Sequence, residues 1–178
     1  MSTALLIIDV QVGLCTGADA AFEIDRVIAN LNQVSTQARS VGAPVVLIQH
    51  EEPSGTLKVD SPGWQLAHGL HTAPNDVRIR KTTPDSFLRT SLLAQLQAKG
   101  ITRLVIGGLQ SEFCVDSTTR MALALGFDVV LLADGHSTVD NGVLTAAQIS
   151  AHHTMTLGNL SSFGKRALVV AANDVVIA

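Results

Sequence analysis

Unbroken apolar runs alternate with helical spacings along this chain, and the alternation predicts most of its elements. Residues 4–10 open with five apolar positions and read as a buried strand that carries Asp9 at its carboxyl end. Ile24, Val27, Ile28, Leu31, Val34, Ala38 and Val41 then recur three and four apart. That spacing predicts a helix with one apolar stripe, stopped by Gly42 and Pro44 before a second buried strand at 44–49. A short strand is predicted at 77–80, and a helix at 91–99 with Thr90 as N-cap and Gly100 as its stop. Leu104, Val105 and Ile106 run into Gly107-Gly108, Cys114 opens a helix that Gly126 closes, and a further apolar run at 127–132 completes a βαβ unit. A helix at 145–157 and a strand at 167–170 follow, while the tail at 174–178 is too short to assign. Strands and helices in this order predict an α/β protein of three layers, α/β/α, with helices on both faces of a doubly wound parallel sheet. Residues 51–76, with Pro53, Gly55, Pro62, Gly63 and Pro74, form the one long irregular segment, and loops of that length in compact domains are functional or mobile.

Composition narrows the picture. The 178 residues are 47% hydrophobic and 15% charged and show no repeat or linker, which predicts a single domain over 1–178. A net charge of −3 provides no basic field for nucleic acid or an anionic membrane. The start lacks a basic leader region, and Asp9 interrupts its apolar run, so neither a signal peptide nor a membrane span is expected. Cys15 and Cys114 are the only cysteines; a reducing cytoplasm is expected and a disulfide framework is not.

Three reactive groups fall at predicted carboxyl ends of strands: Asp9 after the first, Lys81 after the third and Cys114 beyond the fourth. Open parallel sheets bind ligands at that edge. A helix N-terminus there also favours thiolate over thiol. Each group alone has a plainer reading. Asp9 can end a strand, Lys81 can be one solvated member of the run with Arg78 and Arg80, and Cys114 can be a small core residue.

The segments LLIIDVQVG, RKTTPDSFLRTSLLAQL and VIGGLQSEFCVDSTTRMALALGFDVVLLADGHST together resemble the isochorismatase-like cysteine hydrolase family, which includes nicotinamidases, N-carbamoylsarcosine amidases and related C–N hydrolases. The resemblance implies the isochorismatase-like hydrolase fold and an Asp–Lys–Cys triad at Asp9, Lys81 and Cys114. It also implies a cis peptide at Leu109-Gln110 and an oxyanion hole from the backbone N–H groups of Gln110 and Cys114. The expected reaction is cleavage of a small-molecule amide-type bond through a thioester on Cys114, with Asp9 as base and Lys81 ordering it. Two alternatives stand beside it. An enol-ether hydrolase acting on a compound such as isochorismate would have no use for the thiol. A binding or redox-sensing module would leave the crevice unused, but the chain lacks a G-x-G-x-x-G loop after the first strand. Family resemblance further implies a homo-oligomer, a dimer or larger.

Candidate pocket residues are Gln11, Cys15, Trp64, Phe87 and Phe113. Gln11 can hydrogen-bond near the site, and Cys15 lies where the family often has a pocket-lining aromatic. Trp64 either covers substrate or anchors its loop; Phe87 and Phe113 are walls or ordinary packing. Nicotinamidases hold a divalent metal with an Asp and His residues after the second strand, where this chain reads HEEPSG. His50, Glu51, Glu52, His68 and His71 include possible donors, but the Asp-x-His arrangement is missing, so no metal and no other cofactor is expected. His152 and His153 are adjacent on a helix and face different ways, which predicts packing or a subunit contact.

Overall fold

A computed structural model describes residues 2–177 and contains one six-stranded parallel sheet. The strands are β1 (Thr3–Ile8), β2 (Val45–His50), β3 (Val77–Lys81), β4 (Arg103–Leu109), β5 (Asp128–Ser137) and β6 (Leu168–Val170). Their order is β3-β2-β1-β4-β5-β6, so the chain winds outward from β1 in one direction, returns, and winds outward in the other. The reversal leaves a crevice between β1 and β4 at their carboxyl ends. β1 and β2 are buried almost throughout, as sheet strands covered on both faces must be.

Five helices flank the sheet: α1 (Val12–Cys15), α2 (Ile24–Ser40), α3 (Leu92–Ala98), α4 (Asp116–Ala124) and α5 (Ala146–Asn159). On one face Val27, Leu31 and Val34 of α2 pack against Leu5, Ile7, Leu47 and Val105, joined by Ala67, Leu70, Val175 and Ile177. On the other, Leu6, Ile8, Ile48 and Ile106 meet Leu92 and Leu96 of α3, Leu123 of α4 and Leu157 of α5. The predicted three-layer α/β/α architecture is therefore the observed one. No helix among the described residues is long and apolar enough to cross a membrane.

The departures from the sequence reading lie at element ends. β1 stops at Ile8 rather than residue 10, because Asp9 turns into the left-handed region at φ 52° while its N–H still reaches the Ile48 carbonyl at 2.9 Å. The helix expected at 91–99 begins at Leu92, with Ser91 rather than Thr90 in the cap position. Thr90 Oγ1 nevertheless accepts from the Leu92 N–H at 3.2 Å, so the hydroxyl serves the helix end from one residue farther out. Thr145 caps α5 as expected and forms a capping box with Gln148. β5 runs on to Ser137, five residues past the apolar run, because the chain bulges between the pairs Ile106–Leu131 and Gly108–His136. Gly107 and Gly108 permit this. A Cβ at Gly107 would lie 2.7 Å from the Gly135 carbonyl oxygen, and one at Gly108, where φ is 124°, would fall on the Ile8 backbone. The long loop is tethered by a 3-10 turn at Pro62–Trp64 and by the bridges Gln11–Leu66 and Glu52–Lys58.

Candidate active site

The site starts from strand register. His50 and Lys81 are paired neighbours at the ends of β2 and β3, and Asp9 follows the end of β1 beside them. Lys81 Nζ lies 2.6 Å from Asp9 Oδ2, 3.2 Å from the Thr83 carbonyl and 3.3 Å from His50 Nδ1. An ammonium has three protons, and these three acceptors account for them. Both members of the ion pair are buried, Asp9 at 1% exposure, and Asp9 Oδ1 has no hydrogen-bond partner. Burial pushes the Asp9 carboxyl above its ordinary value, with the Lys81 charge opposing it. Burial and the neighbouring Lys81 charge hold the His50 ring below its ordinary value, so it is neutral. Positive φ at Asp9, in a residue with a Cβ, is strain of the kind that gathers at functional sites.

Cys114 approaches from β4. The Leu109-Gln110 peptide is cis, and a π-helical turn, Ser111–Val115, carries the cysteine before α4 begins at Asp116. The expectation that Cys114 opens a regular helix is corrected by that extra turn. A carboxylate oxygen of Asp9, a ring nitrogen of His50 and Cys114 Sγ all lie within 4.8 Å of one another. Desolvation, followed by the Asp9 charge, pushes the Cys114 thiol up to about 12, with Lys81 acting in the opposite sense. Desolvation and the neighbouring carboxylate thus oppose the thiolate that a helix N-terminus favours, which leaves the proton of Cys114 to be taken by a base.

Two polar clusters tie the ends of this turn to α5. Ser111 Oγ lies 2.7 Å from His136 Nδ1 and 2.9 Å from Ser150 Oγ, and His136 Nε2 lies 2.9 Å from Thr154 Oγ1. Burial holds the His136 ring down to about 4. At the other end Asp116 meets His153 Nδ1 at 3.0 Å and accepts two bonds from Arg120, at 2.6 and 3.0 Å. His153 is therefore a packing residue, while His152 is exposed. Sequence reasoning missed Ser111, His136 and Thr154; the polar continuation of β5 after its apolar run was the available signal. It also considered His50 only as a metal donor, although VVLIQH ends a strand in register with the one that ends at Lys81.

The predicted pocket residues separate. Gln11 is fully buried, donates to the His50 and Trp64 carbonyls at 3.0 and 2.9 Å, and accepts from the His50 N–H at 2.8 Å. Its amide is thus engaged by backbone, and the expected substrate contact is corrected to a clamp on His50. Trp64 anchors its loop: its carbonyl accepts from Gln11 and Gln49, and the Arg80 guanidinium lies 5.6 Å from its ring centre. Cys15, 9% exposed, belongs to the apolar core on the α2 side, not to a pocket wall. Phe87, 8% exposed, stacks on Phe127 at 6.1 Å in the opposite core and is likewise no wall. Phe113, next to Cys114 in the chain, is 53% exposed. A cavity of about 500 Å³ is bordered by His50, Glu51, Glu52, Pro53, Val59 and Thr82.

Asp9, His50 and Cys114 are grouped closely enough to surround a cation. The Lys81 ammonium already sits against Asp9 and His50 and would repel a divalent ion from the same atoms. The donor set does not fit a metal.

A family model described as the isochorismatase domain matches residues 3–165. A streptothricin hydrolase of Streptomyces noursei is 41% identical over 138 residues, which are 77% of this chain and 50% of that protein. The chain spans about half the length of the two streptothricin hydrolases it matches. A crystal structure of an isochorismatase family protein superposes with a TM-score of 0.88 at 37% identity, covering 96% of this chain and 98% of that one. N-carbamoylsarcosine amidase of Thermoplasma acidophilum superposes with a TM-score of 0.83 over 98% of this chain and 99% of its own; at 22% identity it shares the fold.

Proposed function

The chain belongs to the isochorismatase family of hydrolases, and from that premise we propose that it cleaves an amide-type C–N bond of a small molecule through a thioester on Cys114. The observation that carries the reading is the arrangement around Asp9: Oδ2 is held by Lys81, Oδ1 is buried without a hydrogen-bond partner, and a carboxylate oxygen of Asp9 lies within 4.8 Å of Cys114 Sγ. A buried carboxylate raised above its ordinary value is a stronger base than a solvated one. It takes the thiol proton as Sγ attacks the substrate carbonyl carbon, so no standing thiolate is required. The C–N bond breaks, the proton passes from Asp9 to the departing amine or ammonia, and the acyl group remains on sulfur. Water then attacks the thioester, Asp9 takes its proton, and the acid leaves as the thiol is restored. The backbone N–H groups of Gln110 and Cys114 are the proposed donors to the oxyanion. Phe113 is retained as a contact for substrate. The 41% and 38% identity with two streptothricin hydrolases supports this reading. The reading requires no metal or other cofactor and is that of a cytoplasmic homo-oligomer.

One observation favours a second reading. A raised Asp9 carboxyl is also a potential general acid, which an enol-ether hydrolase would use without the cysteine. Intact-protein mass spectrometry after acid quench separates the two. Incubation with a panel of small amides, streptothricin among them, is expected to leave an acyl adduct on the Cys114 peptide that hydroxylamine intercepts as a hydroxamate. Cys114→Ala should abolish adduct and turnover while leaving thermal stability nearly unchanged. Efficient isochorismate cleavage that survives Cys114→Ala would overturn the thioester reading.

A further inference from the structure

His50 has no part in the triad, yet three separate contacts hold it at the site. Gln11 brackets its peptide group, accepting from the N–H and donating to the carbonyl. Lys81 Nζ stands 3.3 Å from Nδ1. An ammonium only donates, so Nδ1 carries the lone pair and the ring proton is on Nε2. Nε2 has no hydrogen-bond partner among the described residues, and the ring borders the cavity of about 500 Å³. A half-buried histidine, held at its peptide group and at Nδ1, with its tautomer set and its remaining N–H without a protein partner, is a donor available to a ligand.

We infer that His50 is a fourth active-site residue, a neutral Nε2–H donor that binds an acceptor oxygen on the acyl part of the substrate held beside Cys114. The inference rests on the thioester reading and adds a substrate class to it. Glu51 and Glu52 line the same cavity, so a carboxylate is disfavoured there and the acceptor is a neutral carbonyl or hydroxyl oxygen. Preferred substrates are accordingly small amides with a second uncharged oxygen function near the scissile carbonyl. Geometry also opposes a basic role for the ring, since Nδ1 already accepts from Lys81.

The test crosses two amides with three enzymes. Malonamide and butyramide have similar length, but only malonamide has a distal carbonyl. Wild type is expected to favour malonamide in kcat/KM, and His50→Leu should lose at least about tenfold of that preference, as when a positioned donor is removed. His50→Gln, which keeps an N–H donor, should recover most of it. Alkylation of Cys114 by iodoacetamide, measured on all three proteins, reads any loss transmitted through the Lys81 contact, and because the preference is the ratio of two amides within one protein, such a loss cancels from it. His50 is only half buried, and should the leucine variant not fold, His50→Met provides the same deletion. An unchanged preference in the apolar variants, or an equal loss in His50→Gln, would overturn the role of His50 while leaving the thioester intact. If wild type forms no acyl adduct with any amide, the underlying reading fails, and this inference fails with it.

Discussion

The two halves of the site are built in opposite ways. Asp9, His50 and Lys81 stand at the ends of three adjacent strands, and sheet register alone brings them together. Cys114 comes from across the crevice, on a cis peptide and a π-helical turn that no regular ladder supports. The first half is charged and is held by a buried ion pair at 2.6 Å. The second is held by neutral hydrogen bonds from Ser111 through His136 to Thr154, and by the more exposed Asp116–His153 contact. A proton acceptor thus follows directly on a strand paired on both sides, and the nucleophile's position depends on packing between α5 and the turn. The strand half should fail through charge, and the turn half through geometry.

The largest expected effect comes from breaking the strand half. Asp9→Asn should lower the hydrolysis rate by about two orders of magnitude or more, the usual contribution of a positioned base. Because the base must be ionised and its carboxyl is raised, wild-type kcat/KM should rise with pH through a limb above the ordinary value of 3.8, and that limb should vanish in the variant. Lys81→Met would leave the buried Asp9 charge unpaired and should destabilise the fold by about 3–5 kcal/mol, read by urea denaturation.

Acid should distinguish the turn half. His136 titrates at 6.5 in the ordinary state and at about 4 when folded. The unfolded chain therefore binds the extra proton first as pH falls, and the stability contribution present above 6.5 is lost progressively toward 4. The total is about 3 kcal/mol, and His136→Asn should flatten stability across that window. Ser111→Ala, which strands a buried ring nitrogen, should cost about 1–3 kcal/mol and slow Cys114 alkylation by iodoacetamide. If that rate is unchanged, the cluster does not position the nucleophile. The smallest effect is expected at the solvent-facing end: His153→Ala should cost less than about 1 kcal/mol in thermal denaturation.

Asp9 was legible because it directly follows an apolar run, Lys81 because it ends a short alternating strand, and Cys114 because a helical segment opens beyond the run at 104–106. The residues around the turn were not legible in this way. Ser111 and His136 are 25 positions apart and meet only because β5 bulges opposite Gly107. Cys15 was a pocket-wall candidate by family resemblance and Phe87 either a wall or ordinary packing, and each lies inside a core layer. Periodicity shows that a side chain is apolar and on which face of its element it lies, but not what the neighbouring layer brings against it.

By itself the sequence determined the α/β layering, the alternation of strands and helices, and the placing of Asp9, Lys81 and Cys114 at one edge of the sheet. Those follow from local spacing and from the burial that every central parallel strand requires. Tertiary structure alone decided which side chains face one another across that edge. It decided the pairing of His50 with Lys81, the use of Gln11 as a clamp, and the surroundings that push the Cys114 thiol up. Hydrogen-bond partners and desolvation depend on atoms far apart in the chain, and no local pattern encodes the register and packing that bring them together.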